Sequence, residues 1–173
     1  TGKLYIKKFD EERELTLMLA IDISGSGDFG TGQYLKGEMA AFVAAVLGFS
    51  AAKNNDRVGL LLFTDQVELY VPPKKGKGHV QRILSEILYF KPKSRSTNIN
   101  VGLQHLMGIL RKRSTIFLIS DFLDKNYHTA LRLLGNKHDV VAVSVQDPAE
   151  LELPNMGLVQ MHDAETGELS VVD

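Results

Sequence analysis

Two hydrophobic rhythms alternate along this chain: short unbroken apolar runs, and longer stretches with an apolar residue every third or fourth place. The first run is Leu15-Thr16-Leu17-Met18-Leu19-Ala20-Ile21. It follows a charged segment and has no polar face, so it predicts a strand buried on both sides over about Glu14 to Asp22. Val58 to Thr64 (VGLLLFT) and Thr115 to Ser120 (TIFLIS) are runs of the same kind, and Val140 to Val145 reads as a further parallel strand. Between them the spacing predicts helices over Lys36 to Asn54, Gly76 to Phe90, Asn98 to Lys112 and Asn126 to Gly135. Val80, Ile83, Leu84, Ile87 and Leu88 form the stripe of the second, and Ile99, Leu103, Leu106 and Leu110 that of the third. Val67 to Val71 follows its predecessor after only Asp65-Gln66, too short a link for a crossover, so the two must pair antiparallel. Pro72-Pro73 then ends that strand, as suits a sheet edge. Met156 to His162 and Leu169 to Val172 read as a closing hairpin across Glu165-Thr166-Gly167.

Strands alternating with helices predict an α/β fold in three layers: a doubly wound, mostly parallel sheet with one antiparallel edge strand. Numbering strands along the chain, the expected spatial order is 3-2-1-4-5-6. It begins at Val67–Val71 and ends at Met156–His162.

Composition narrows the function classes. A chain of 173 residues has room for one domain with a sizeable core. Its formal net charge of −1 exerts no general pull on nucleic acid or anionic membrane. The absence of Cys excludes disulfides, zinc–thiolate sites, iron–sulfur clusters and thiol catalysis. No apolar run approaches the roughly 20 residues that span a bilayer. The chain opens at Thr1 without Met and its first residues are charged and irregular. It therefore reads as a fragment of a longer protein, 1–173 forming one domain. The expected location is the cytoplasm, with membrane association through a segment preceding Thr1.

The candidate chemistry lies after the first strand, at Asp22-Ile23-Ser24-Gly25-Ser26. In open α/β sheets ligands bind outside the carboxyl ends of the strands. A carboxylate and two hydroxyls there make a hard oxygen site suited to Mg²⁺ or Mn²⁺, with Ca²⁺ a further candidate. Thr97 stands in the loop before a helix, and Asp121 directly after TIFLIS. If TIFLIS lies beside the first strand, both aspartates reach one crevice. Each residue also has a local explanation: an Asx turn for Asp22, a helix N-cap for Thr97, a strand-end turn for Asp121. Their joint occurrence in this order favours the metal site. Gly25 to Gly30 matches the dinucleotide fingerprint GxGxxG, but Asp22 would repel a pyrophosphate and the helix starts too late. The five His have no ligand-like spacing.

The set Asp22-x-Ser24-x-Ser26, Thr97 in Thr-Asn-Ile and Asp121 in Ser-Asp-Phe resembles the metal-ion-dependent adhesion site (MIDAS) of von Willebrand factor A domains. The order of elements is similar over nearly the whole chain. Asn55-Asp56-Arg57-Val58-Gly59-Leu60, Val71-Pro72-Pro73-Lys74 and His138-Asp139-Val140-Val141-Ala142-Val143 resemble, more narrowly, the bacterial family called domain of unknown function fifty-eight. That resemblance implies a von Willebrand A / Rossmann-like fold and a cation held by Asp22, Ser24, Ser26, Thr97 and Asp121. One coordination position would be left for an Asp or Glu of a protein partner. It further implies an adaptor or assembly factor associated with a MoxR-type AAA+ ATPase, and no enzyme. The rival from the residues alone is a Mg²⁺-dependent phosphoryl-transfer enzyme with Asp22 as nucleophile. Phe29, Tyr34 and Phe122 are the expected apolar contacts around the ion.

Overall fold

The structure is a computed structural model that describes residues 14–25 and 36–146, together with the backbone of two strands at 159–162 and 169–172. Its elements run β1 (Thr16–Asp22), α1 (Lys36–Lys53), β2 (Arg57–Phe63), β3 (Val67–Lys74), α2 (Lys77–Tyr89), α3 (Ile99–Ile109), β4 (Thr115–Ser120), α4 (His128–Gly135), β5 (Asp139–Ser144), β6 (Val159–His162) and β7 (Leu169–Val172). The main sheet has the order β3-β2-β1-β4-β5. β1 pairs parallel with β2 on one side and β4 on the other, β4 pairs parallel with β5, and only β3 is antiparallel.

Side-chain alternation along β1 divides the core in two. Leu17, Leu19 and Ile21 face a layer built with Ala40 and Ala44 of α1 and Val80 and Ile83 of α2. Met18 and Ala20 face Leu103 and Leu106 of α3 and Leu134 of α4. Both faces of the central strands are therefore covered, as their unbroken apolar runs require. α3 seats closely: a Cβ on Gly102 would lie 2.9 Å from the Phe63 ring. Among the described residues no helix is long and apolar enough to cross a membrane.

Four expectations are corrected. The sixth strand does not extend the main sheet. β6 pairs antiparallel with β7, from Val159 opposite Val172 to His162 opposite Leu169. The order is therefore 3-2-1-4-5 among the described residues. The second half of the hairpin follows β6 after a short link, so it closes at less entropic cost than a pairing with distant β5. β3 runs through Pro72-Pro73 to Lys74 instead of stopping at Val71. Prolines are tolerated because β3 is an edge, and a register shift opposite Gly59 absorbs the extra residue. α3 ends at Ile109, short of Lys112. α4 begins at His128, because Asn126 takes a left-handed φ of 74° that belongs to a turn.

Candidate metal centre

Because β1, β2 and β4 are parallel, their carboxyl ends open on one rim of the sheet. Asp22 is the last residue of β1 and sits opposite Phe63 of β2. Asp121 follows β4, whose Ile119 sits opposite Ile21. The Ser24 backbone N–H donates to Asp22 Oδ1 at 3.0 Å, the Asx turn that its spacing predicts. The Ser120 hydroxyl donates to Asp22 Oδ2 at 2.8 Å. That same hydroxyl accepts from the Phe122 N–H at 3.1 Å, and Asp121 Oδ1 accepts from the Leu123 N–H at 3.3 Å. Ser24, Ser120 and Asp121 are buried, and Asp22 is half-buried. Phe122 has a φ of 59°, unusual for an aromatic residue, and its ring lies 5.8 Å from that of Tyr127.

Electrostatics penalise the charged form of Asp22, chiefly through burial. Burial pushes the Asp22 carboxyl above the ordinary carboxylate range. Hydrogen bonds from the Ser24 backbone, the Ser24 hydroxyl and Ser120 pull it back, while the Asp121 charge pushes it up again. The carboxylates thus lie close enough to repel, on a rim that also presents hydroxyls.

The loop carrying Thr97 is stitched to this rim. Gly25 N–H donates to the Arg95 carbonyl at 2.8 Å, and Asn98 N–H donates to the Thr64 carbonyl at 3.2 Å. Lys93 and Ser94 N–H both donate to Glu68 Oε1. Beyond Thr97, the Ile99 N–H donates to Asp124 Oδ2 at 2.8 Å, and Asn100 Nδ2 donates to the Asn126 carbonyl at 3.0 Å. The N-cap position of α3 is Asn98, whose side chain makes no cap bond. The N-cap of α3 thus falls one residue after Thr97, and the first helical N–H is satisfied by Asp124, from the loop after β4. A carboxylate there also suits the positive end of the helix dipole.

Asp22, Ser24 and Asp121 thus come together at one end of the sheet, and Thr97, half-buried, stands in the loop bonded to Gly25. Ser26, Phe29 and Tyr34 lie outside the described residues. Among the described residues no group of three or more His, Asp or Glu gathers. Sequence reasoning missed Ser120, Glu68 and Asp124. Ser120 had a signal, since it immediately precedes Asp121 at a strand end; the other two act through backbone N–H groups, which leave no mark on the sequence. It also missed Leu123, 68 % exposed beside the rim, whereas Phe122 is half-buried.

Comparison with known proteins agrees with this architecture. The chain is similar to an aerotolerance-related membrane protein of Bacteroides fragilis, with a TM-score of 0.67, 19% identity and coverage of 91% of this chain and 81% of that one. It is likewise similar to the conserved hypothetical protein BatB of Bacteroides thetaiotaomicron, with a TM-score of 0.66, 16% identity and coverage of 91% and 78%. Likeness at such identities is one of fold, here von Willebrand A-like. An uncharacterized protein of Mycobacterium tuberculosis is 32% identical over 166 residues, which cover 94% of this chain and 52% of that protein. The chain thus spans about half the length of that relative. The family described as "Protein of unknown function DUF58" matches residues 1–173, and the chain belongs to it.

Proposed function

We propose that this domain binds a divalent cation at the β1–β4 rim and uses it to hold an acidic residue of a protein partner. The observation that carries the reading is the placement of Asp22 and Asp121 at the carboxyl ends of adjacent parallel strands, with the Ser120 hydroxyl donating to Asp22 Oδ2. The repulsion between the two carboxylates and the burial of Asp22 are costs that a hard cation removes. The donor chemistry fits: carboxylate oxygens of Asp22 and Asp121 and hydroxyls of Ser24, Ser26 and Thr97 suit Mg²⁺ or Mn²⁺, with Ca²⁺ less demanding of geometry. A cation held by few charges stays electrophilic and supplies an attachment point for an incoming carboxylate. Leu123, exposed beside the rim, supplies apolar contact.

The role of adaptor or assembly factor rests on the family resemblance, which also makes a MoxR-type AAA+ ATPase the first partner to try. The domain has no enzymatic activity in this reading. The test is calorimetric titration of Mn²⁺ into the wild type and Asp22→Ala, then capture of the ATPase with and without chelator. Binding lost in the variant and capture lost with chelator support the proposal; equal Mn²⁺ affinity in the two proteins refutes it. Phosphomonoester turnover that disappears in Asp22→Asn would instead establish the phosphoryl-transfer enzyme.

A further inference from the structure

Glu68 lies on the edge strand β3, separated from β1 by β2. Its Oε1 accepts four hydrogen bonds: from Thr64 Oγ1 at 3.0 Å, Gln66 Nε2 at 3.1 Å, Lys93 N–H at 3.1 Å and Ser94 N–H at 3.2 Å. Its Oε2 is buried and has no hydrogen-bond partner among the described residues. Satisfying two side chains alone would not need a charge inserted among backbone groups. The two consecutive N–H groups of Lys93 and Ser94 converge on one oxygen, and charge-assisted bonds of this kind are among the stronger ones available.

These bonds meet the chain a few residues before Thr97. Further restraints on the segment come from the site itself, through Gly25 to Arg95, from the end of β2, through Thr64 to Asn98, and from within, where the Ser96 N–H donates to Ser94 Oγ. Thr64 is shared: its carbonyl holds Asn98 and its hydroxyl donates to Glu68. Glu68 therefore closes a ring that runs from β3 through the Lys93–Ser94 backbone and back to the end of β2, with Thr97 inside it. Burial alone would push the Glu68 carboxyl up, but the bonds from Gln66, Lys93, Thr64 and Ser94 outweigh it and hold the group below the ordinary carboxylate range. The ring is thus closed by a charged acceptor at neutral pH.

We propose that Glu68 is a positioning residue: it fixes the 93–97 loop so that the Thr97 hydroxyl is delivered to the cation. This rests on the metal reading above. Outer groups that orient ligands typically change metal affinity 10- to 100-fold when removed.

The experiment is a double-mutant cycle on Mn²⁺ affinity, measured by calorimetry on the full chain: wild type, Glu68→Ala, Thr97→Ala and the double variant, with Glu68→Gln as the conservative substitution. Glu68→Ala is expected to weaken Mn²⁺ binding about 10-fold or more and to have no further effect once Thr97 is Ala. Glu68→Gln, which keeps a neutral oxygen acceptor, is expected to restore most of the affinity. Glu68→Leu, which removes both acceptor oxygens but keeps much of the side-chain bulk, replaces Glu68→Ala in the cycle if that variant does not fold. Equal losses in both Thr97 backgrounds overturn the proposal, as does a Glu68→Ala affinity within about twofold of wild type. A wild type that binds no Mn²⁺ overturns the metal reading and this inference with it; a wild type that binds Mn²⁺ regardless of Glu68 overturns this inference alone.

Discussion

The Ser120 hydroxyl bridges Asp22 Oδ2, at 2.8 Å, and the Phe122 backbone N–H, at 3.1 Å. Residues 98 positions apart in sequence are thereby joined at the ends of adjacent parallel strands. The bridge fixes one Asp22 oxygen and shapes the turn that presents Asp121.

Ser120→Ala removes both bonds. Because Ser120 is buried, the Phe122 N–H and the Asp22 oxygen are left short of partners, and a loss of about 1–3 kcal/mol in unfolding free energy is expected. Chemical denaturation measures it. A variant as stable as wild type would show that water replaces the hydroxyl at no cost.

Asp22 makes the cation-free protein sensitive to pH in a defined direction. Its folded-state pKa is raised, so in the window from the ordinary carboxylate range up to the raised value the folded state holds more protons than the unfolded one. Stability should fall as pH rises through that window, and Asp22→Asn should remove this contribution. Melting temperatures from about pH 3 to about pH 7, in chelator, test the sign. Saturating Mg²⁺ should oppose the trend, because cation and proton compete for the same oxygens. An identical pH profile for wild type and Asp22→Asn would show that Asp22 is not perturbed.

Gly102 matters through packing. A methyl group there would meet the fully buried Phe63 ring at 2.9 Å. The gain in helix propensity from Gly102→Ala is about 0.5–1 kcal/mol, whereas overpacking costs about 1–3 kcal/mol. A net loss of stability is expected in denaturant titration. A more stable variant would mean that Phe63 shifts aside freely.

His138 predicts acid sensitivity. It is buried, and its Nδ1 has no partner among the described residues. Burial, then the charges of Lys137 and Arg113, push its pKa below the ordinary imidazole value, against the attraction of Asp139. The unfolded chain therefore takes up a proton first as pH falls, and stability is lost below about pH 6.5 down to the depressed folded value. His138→Leu should flatten this part of the unfolding free-energy profile. An unchanged drop between about pH 7.5 and about pH 5.5 would assign the loss to other groups.

The sheet was legible because its three central strands, β1, β2 and β4, are buried on both faces. Leu17 to Ile21, Leu60 to Phe63 and Ile116 to Ile119 leave no room for polar residues, and the Asp65-Gln66 link forces the one antiparallel pair. The carboxylates of the candidate site were legible for the same reason: Asp22 and Asp121 are the first charged residues after two such runs. What escaped were relationships in which one partner is backbone. Neither the capping of Ile99 by Asp124 nor the grip of Glu68 on Lys93 and Ser94 has a residue pattern, because any amino acid except proline supplies the donor. The hairpin of the last two strands was legible in the Glu165-Thr166-Gly167 link, whereas its separation from β5 leaves no mark in the apolar pattern.

The central place of β1 has a mechanical consequence. Asp22 ends a strand flanked along its length by two parallel neighbours, β2 from Thr16 through Asp22 and β4 from Leu17 through Ile21. A force applied at Asp22 along the strand axis would load both ladders in shear, so many hydrogen bonds would have to fail together instead of parting one by one as in a peeled edge strand. An attachment point at the end of β1 is thus anchored through two ladders at once. The same pull applied at β3, which has a single neighbour and a register shift, would meet a weaker hold.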